Sequence, residues 1–137
     1  LYTSVYNPKA ARFKKAAWTY GILTAFCGIF SLVYLQFSHG ESSPFLIWLF
    51  APSLLLGMIP ALILSRASGI RLPGIPVRRI WNSGIATLSA GMLVRSVINI
   101  SGRYTDYDLI YWIAAGLLFL IAIIRYYLPP VAAVQKT

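Results

Sequence analysis

Arg95 lies inside an apolar stretch that runs from Ile80 to Ile100. Ser83, Thr87, Gly91, Arg95 and Asn99 follow one another at i+4 spacing, along one slowly drifting face of a helix. A guanidinium with polar neighbours has two uses here. It can pair with Asp106 or Asp108 near the end of the span, its stem snorkelling toward water. Alternatively, Arg95, Asn99, Thr87 and Ser83 bind an anionic substrate or a partner inside the bundle.

The other reactive side chains are few. Cys27 is the only cysteine and His39 the only histidine, and the acids are Glu41, Asp106 and Asp108. A single cysteine excludes an internal disulfide and a cysteine-rich metal site. Three carboxylates supply a carboxylate metal site poorly. Asp106 and Asp108 flank the start of a helix, where capping and the helix dipole favour them. Cys27 sits mid-span as an apolar residue. Asn99-Ile100-Ser101 is a glycosylation sequon, but at the membrane edge. No nucleophile–base pair or phosphate-binding glycine loop is recognisable, so no enzyme activity, metal or cofactor is expected.

The elements that position these residues follow from the scarcity of charge. Of 137 residues, 58% are hydrophobic and 11% charged; 12 Lys or Arg oppose three acids, for a net charge of +9. Mean hydropathy is +0.71. A soluble monomer of this size leaves too much apolar surface wet, which argues against a soluble enzyme. Ala16–Ser38 and Ser42–Ser65 carry no charge, and Ile80–Ile100 and Leu109–Leu128 are broken only by Arg95 and Arg125. Each stretch reaches the ~20 residues that a helix needs to cross a bilayer. The runs are continuous rather than alternating, and lipid demands that backbone groups pair within a segment, so helices are expected. The first run is too long for a signal peptide and lacks a following A-x-A site, so it reads as a retained helix.

Loop charges give an orientation. Lys9, Arg12, Lys14, Lys15, Arg66, Arg71, Arg78, Arg79, Arg125 and Lys136 fall on one side, with no acid among them. The positive-inside rule places that side, with both termini, in the cytoplasm, as expected for a plasma (inner) membrane protein. The division is a basic interfacial segment (1–15), a first hairpin (16–65), a basic loop (66–79), a second hairpin (80–128) and a cytoplasmic tail (129–137). Asn7-Pro8 reads as a helix start with proline at its first position. Lys9, Arg12, Lys14, Lys15, Arg66, Arg71, Arg78 and Arg79 are expected to contact anionic lipids. Nucleic acid is not expected, because the aromatic residues sit at the span ends and not among the basic loops. Trp18, Trp48, Trp81 and Trp112 each open a span and read as interfacial anchors.

An internal repeat organises the spans. At an offset of 63 residues, Trp18, Gly21, Ile22, Thr24 and Gly28 match Trp81, Gly84, Ile85, Thr87 and Gly91. Ser38, Leu46, Ile47, Ala51, Leu54 and Leu55 match Ser101, Leu109, Ile110, Ala114, Leu117 and Leu118. The fold expected is an all-α integral membrane bundle of four transmembrane helices, made of two parallel two-helix hairpin repeats, N-in and C-in. Gly21, Thr24 and Gly28 share one face, as do Gly84, Thr87 and Gly91. Spans 1 and 3 are expected to pack through these faces, so that Gly28→Leu and Gly91→Leu disrupt the protein. Span 2 differs from its copy by Pro52 and Pro60, which should bend it; Ser53, Gly57 and Ala61 form a small-residue row beside the bends.

Two functions fit these features. One is a non-catalytic accessory, assembly or structural subunit that associates with other membrane subunits or with itself. The other is a small oligomeric transporter or flippase for an anionic or lipid-linked substrate that uses Arg95.

Overall fold

A computed structural model describes residues 8–67 and 69–128. Asn7, the side chain of Lys9, Lys136 and the 129–137 tail lie outside the described residues. The described chain is helical throughout its ordered elements and contains four helices long and apolar enough to cross a membrane.

Helix α1 spans Pro8–Phe37. The basic segment and the first span are one continuous helix, opened by Pro8, whose fixed φ suits a first turn. It ends in a turn where His39 and Gly40 take positive φ, 52° and 93°. The second span is composite. A short helix α2, Pro44–Ile47, leads into a turn at Trp48–Phe50; a π-helical segment, Pro52–Met58, and helix α3, Ile59–Arg66, follow. Helix α4 covers Ile75–Ile100 and helix α5 Leu109–Tyr127. Gly74 is extended at the start of α4, and Pro76 occupies its first turn.

The two prolines accompany the irregular stretches of span 2, in different ways. Proline has no N–H, so Pro52 cannot continue the ladder from the preceding turn. Ala51 instead donates to Trp48 at 2.9 Å, a tight i−3 bond, and the helix resumes with the wider π pitch. Pro60 lies in the first turn of α3 and has no N–H to donate back, at the point where the π register, still kept by the Ile59 N–H to the Leu54 carbonyl, gives way to α-helix. Ser53, Gly57 and Ala61 are buried, as the small-residue row suggested.

Packing places spans 2 and 3 in the middle. They bury 33% and 28% of their apolar windows against 11% for spans 1 and 4. Helix α4 pairs along its length with α5, and α1 packs on α3 and the π segment. Helix α4 also packs on α2 and the π segment. The backbones of α1 and α4 do not meet among the described residues, which corrects the expected packing of spans 1 and 3.

The glycines show why. A Cβ on Gly84 would lie 2.8 Å from the Phe119 ring, and one on Gly91 would lie 2.7 Å from Tyr111 Cβ. Both receive aromatic side chains of the adjacent α5, not α1. Gly21 faces Met58 at 3.7 Å, and Gly28 has nothing within 4 Å. Thr24 and Thr87 donate to carbonyls of their own helix, Tyr20 at 2.7 Å and Ser83 at 2.8 Å. Aromatic side chains of α5 fill the notches at Gly84 and Gly91, so these two do not join α4 to α1, whereas the notch at Gly28 stays open.

The described core is small: Leu46, Leu49 and Met92, with Cys27, Tyr34, Phe45 and Trp112 packed around them. Ile22, Phe26, Ile29 and Leu32 on α1, and Ile110, Ile113, Leu117 and Leu120 on α5, are exposed. In a bilayer these faces meet acyl chains, which satisfy them without protein cover.

Candidate functional site

Arg95 is engaged within the chain. Its Nη1 donates to Asp108 Oδ1 at 3.0 Å and to the Thr105 carbonyl at 3.3 Å. The second carboxylate oxygen, Oδ2, accepts the indole N–H of Trp112 at 3.1 Å. Asp108 is 6% exposed. Burial works against its charge, but the hydrogen bonds from Trp112 and Arg95 and the guanidinium charge outweigh it, holding the carboxyl below its ordinary range. The turn through Gly102, at φ 65°, carries the chain back so that Asp108, at the head of α5, meets Arg95 on α4.

The rest of the polar stripe does not converge with Arg95. Asn99 Nδ2 donates to Ser43 Oγ at 3.2 Å, tying α4 to the start of span 2. Thr87 bonds back to Ser83, and Ser83 bonds back to the Arg79 carbonyl at 3.0 Å. None of these four side chains lines either of two cavities found at the opposite end of the molecule.

Both cavities are lined by residues of α1, span 2 and α4. The first, about 370 Å³, is walled by Tyr20, Gly57, Pro60, Trp81, Ala122 and Tyr126, with Phe13 and Arg78 at its edge. The second is a cleft of about 680 Å³ between α1 and α4, floored by Ser53 of the π segment. Tyr20 and Asn82 line both. The Tyr20 hydroxyl donates to Asn82 Oδ1, a side-chain bridge between helices whose backbones stay apart. The Tyr20 ring covers Gly57 so closely that no Cβ fits there.

Trp81 fixes the wall of the first cavity. Its Nε1 donates at 2.7 Å to the Leu56 carbonyl, in the π segment just before Pro60. Its ring meets Phe119 edge-on, with centroids 4.8 Å apart. Sequence alone makes Trp81 an interfacial anchor; the structure makes it a donor that ties α4 to the backbone of span 2. Trp112 is likewise half-buried and bonded, whereas Trp18 and Trp48 are 73% and 59% exposed. The irregularity of span 2 was legible in the sequence through its prolines; the bond from Trp81, 25 residues away from Leu56, was not.

The basic residues divide by position. Arg12, Lys15 and Arg78 line the mouth of the cleft, and the Arg78 guanidinium lies 4.9 Å over the Phe13 ring. Lys14, Arg66, Arg71 and Arg79 are exposed away from it. The Arg71 carbonyl accepts the Tyr126 hydroxyl at 2.7 Å, which pins the interhelix loop to α5. Ser53 is fully buried, and its hydroxyl has no hydrogen-bond partner. Cys27 is half-buried beside the core cluster and also faces the cleft. His39 is exposed in its turn. Among the described residues, no three His, Cys, Asp or Glu side chains gather as metal ligands would.

Comparison of the chain with protein-family models, curated proteins and solved structures finds no significant match.

Proposed function

We propose that this chain is a non-catalytic accessory or assembly subunit of a larger membrane complex. It is a multi-pass protein with both termini in the cytoplasm, consistent with a plasma (inner) membrane. The observation that carries the reading is the Arg95–Asp108–Trp112 cluster. The one cation deep enough in a span to suggest substrate chemistry is neutralised by the chain itself. Other polar groups also serve helix-to-helix ties: Trp81 to Leu56, Asn99 to Ser43, and Ser31 to the Leu46 carbonyl at 2.7 Å. Such ties define a scaffold, and the apolar faces of α1 and α5 remain free for lipid or neighbouring subunits. The transporter reading gains no support from Arg95, since its guanidinium is already paired.

The orientation rests on the ten one-sided cations and the positive-inside rule. Duplication of a hairpin is supported by the identities at the 63-residue offset, Trp18, Gly21, Thr24 and Gly28 against Trp81, Gly84, Thr87 and Gly91.

Affinity purification of the tagged chain in mild detergent tests the subunit reading. A stoichiometric, unrelated membrane protein should co-purify. Recovery of the chain alone, or of a homo-oligomer, overturns it.

A further inference from the structure

We propose that the cleft between α1 and α4 is a discrete binding site for an anionic lipid with a phosphate headgroup. The headgroup sits among Arg12, Lys15 and Arg78, and the acyl chain follows the cleft toward Cys27 and Ser89. This site does not depend on the subunit reading, and it differs from diffuse attraction of basic loops to a charged bilayer.

The shape of the cleft selects the ligand class. Helices α1 and α4 both pack on the π segment but not on each other, which leaves a wedge of about 680 Å³. From Lys15 to Cys27 the wedge follows α1 for roughly 18 Å at 1.5 Å per residue. A space that runs along α1 with cations at one end and apolar residues beyond suits an amphiphile better than a small soluble anion. Leu23, Ile85 and Ala86 supply the apolar walls.

Charge selects the headgroup. Arg12, Lys15 and Arg78 share the mouth with no acidic residue. The ion pair found among the described residues, Arg95–Asp108, lies near the far end of α4. Asn82 Oδ1 already accepts the Tyr20 hydroxyl, which leaves both amide N–H donors of Asn82 for a ligand. The mouth therefore presents donors and positive charge, the complement of a phosphate, which only accepts. A solvated cluster of lysines would lack the apolar continuation; an apolar groove alone would lack the charge.

The test uses the full chain purified in a neutral detergent, with thermal melting followed against added hexadecyl phosphate. Inorganic phosphate and hexadecylphosphocholine serve as headgroup-only and zwitterionic controls. Hexadecyl phosphate should raise Tm saturably, and neither control should match it. Arg78→Gln should raise the half-saturating concentration about tenfold, the scale of a lost charge-assisted bond. Arg66→Gln, outside the cleft, should leave it unchanged. Ala86→Trp, at an exposed wall position, should block the chain and abolish the response. Should Arg78→Gln fail to fold without ligand, Arg12→Gln carries the same expectation. The proposal is overturned if inorganic phosphate stabilises equally, if Arg66→Gln costs as much as Arg78→Gln, or if Ala86→Trp leaves the response intact.

Discussion

Asp108 gives one oxygen to Arg95 and the other to Trp112, so its charged form is the one the fold needs. Its folded pKa lies below the unfolded value of about 3.9. The resulting stabilisation is complete above that unfolded value and is lost as pH falls through the lower, folded one. Melting of the wild type should therefore weaken below about pH 4. Asp108→Asn should lower Tm at neutral pH and flatten that acid limb; an unchanged limb would detach the carboxylate from stability. Ser53 makes the opposite case. Its buried hydroxyl is unpartnered, and such a group costs about 1–3 kcal/mol. Ser53→Ala should therefore raise stability by about 1 kcal/mol, read from denaturant or thermal unfolding in detergent.

At the scale of elements, span 2 depends on a donor borrowed from span 3. Trp81→Phe keeps the ring against Phe119 but removes the bond to the Leu56 carbonyl, and should cost about 1–2 kcal/mol. Pro60→Ala restores a backbone N–H at position 60 that can satisfy the same carbonyl. In that background Trp81→Phe should cost less, and a double-mutant cycle with no coupling would refute the link. The glycine faces behave differently from what their shared pattern implies. Gly84→Ala drives a Cβ to 2.8 Å from Phe119 and should destabilise the second hairpin by about 1–3 kcal/mol. Gly28→Ala meets nothing within 4 Å, so the folded chain should tolerate it. Equal losses in the two variants would mean that α1 does pack on another element through Gly28.

Across the whole molecule, the halves join through span 2 and span 3, while α1 and α5 stand at the periphery. The wedge left between α1 and α4 is a consequence of that order. It opens beside the basic start of α4, and the acids lie at the other ends of the helices. One molecule thus has a neutralised polar cluster at one end and an uncompensated basic cleft at the other. Partner capture and lipid response probe these two features separately. A chain that binds hexadecyl phosphate but recruits no partner would keep the cleft and lose the subunit role.

The amino-acid order alone determined the spans. Charge-free length and proline position gave four helices, with a break in the second, because hydrocarbon thickness and backbone hydrogen bonding leave few alternatives. The expected spans 16–38, 42–65, 80–100 and 109–128 correspond to Pro8–Phe37, Pro44–Arg66, Ile75–Ile100 and Leu109–Tyr127. The pairing of Arg95 with an acid of the following loop was among the sequence's own alternatives, since the two are near neighbours along the chain. Which faces meet was decided only in three dimensions. Inside lipid no hydrophobic gradient tells one apolar face from another, so close packing and a few polar bonds choose among them. Gly84 could receive α1 or Phe119, and the fit of that ring settled it. The bonds Tyr20 to Asn82 and Trp81 to Leu56 join residues far apart in the chain, and neither residue type nor spacing announces them. The cleft exists because those choices hold α1 and α4 apart, and so it has no signature in the linear sequence.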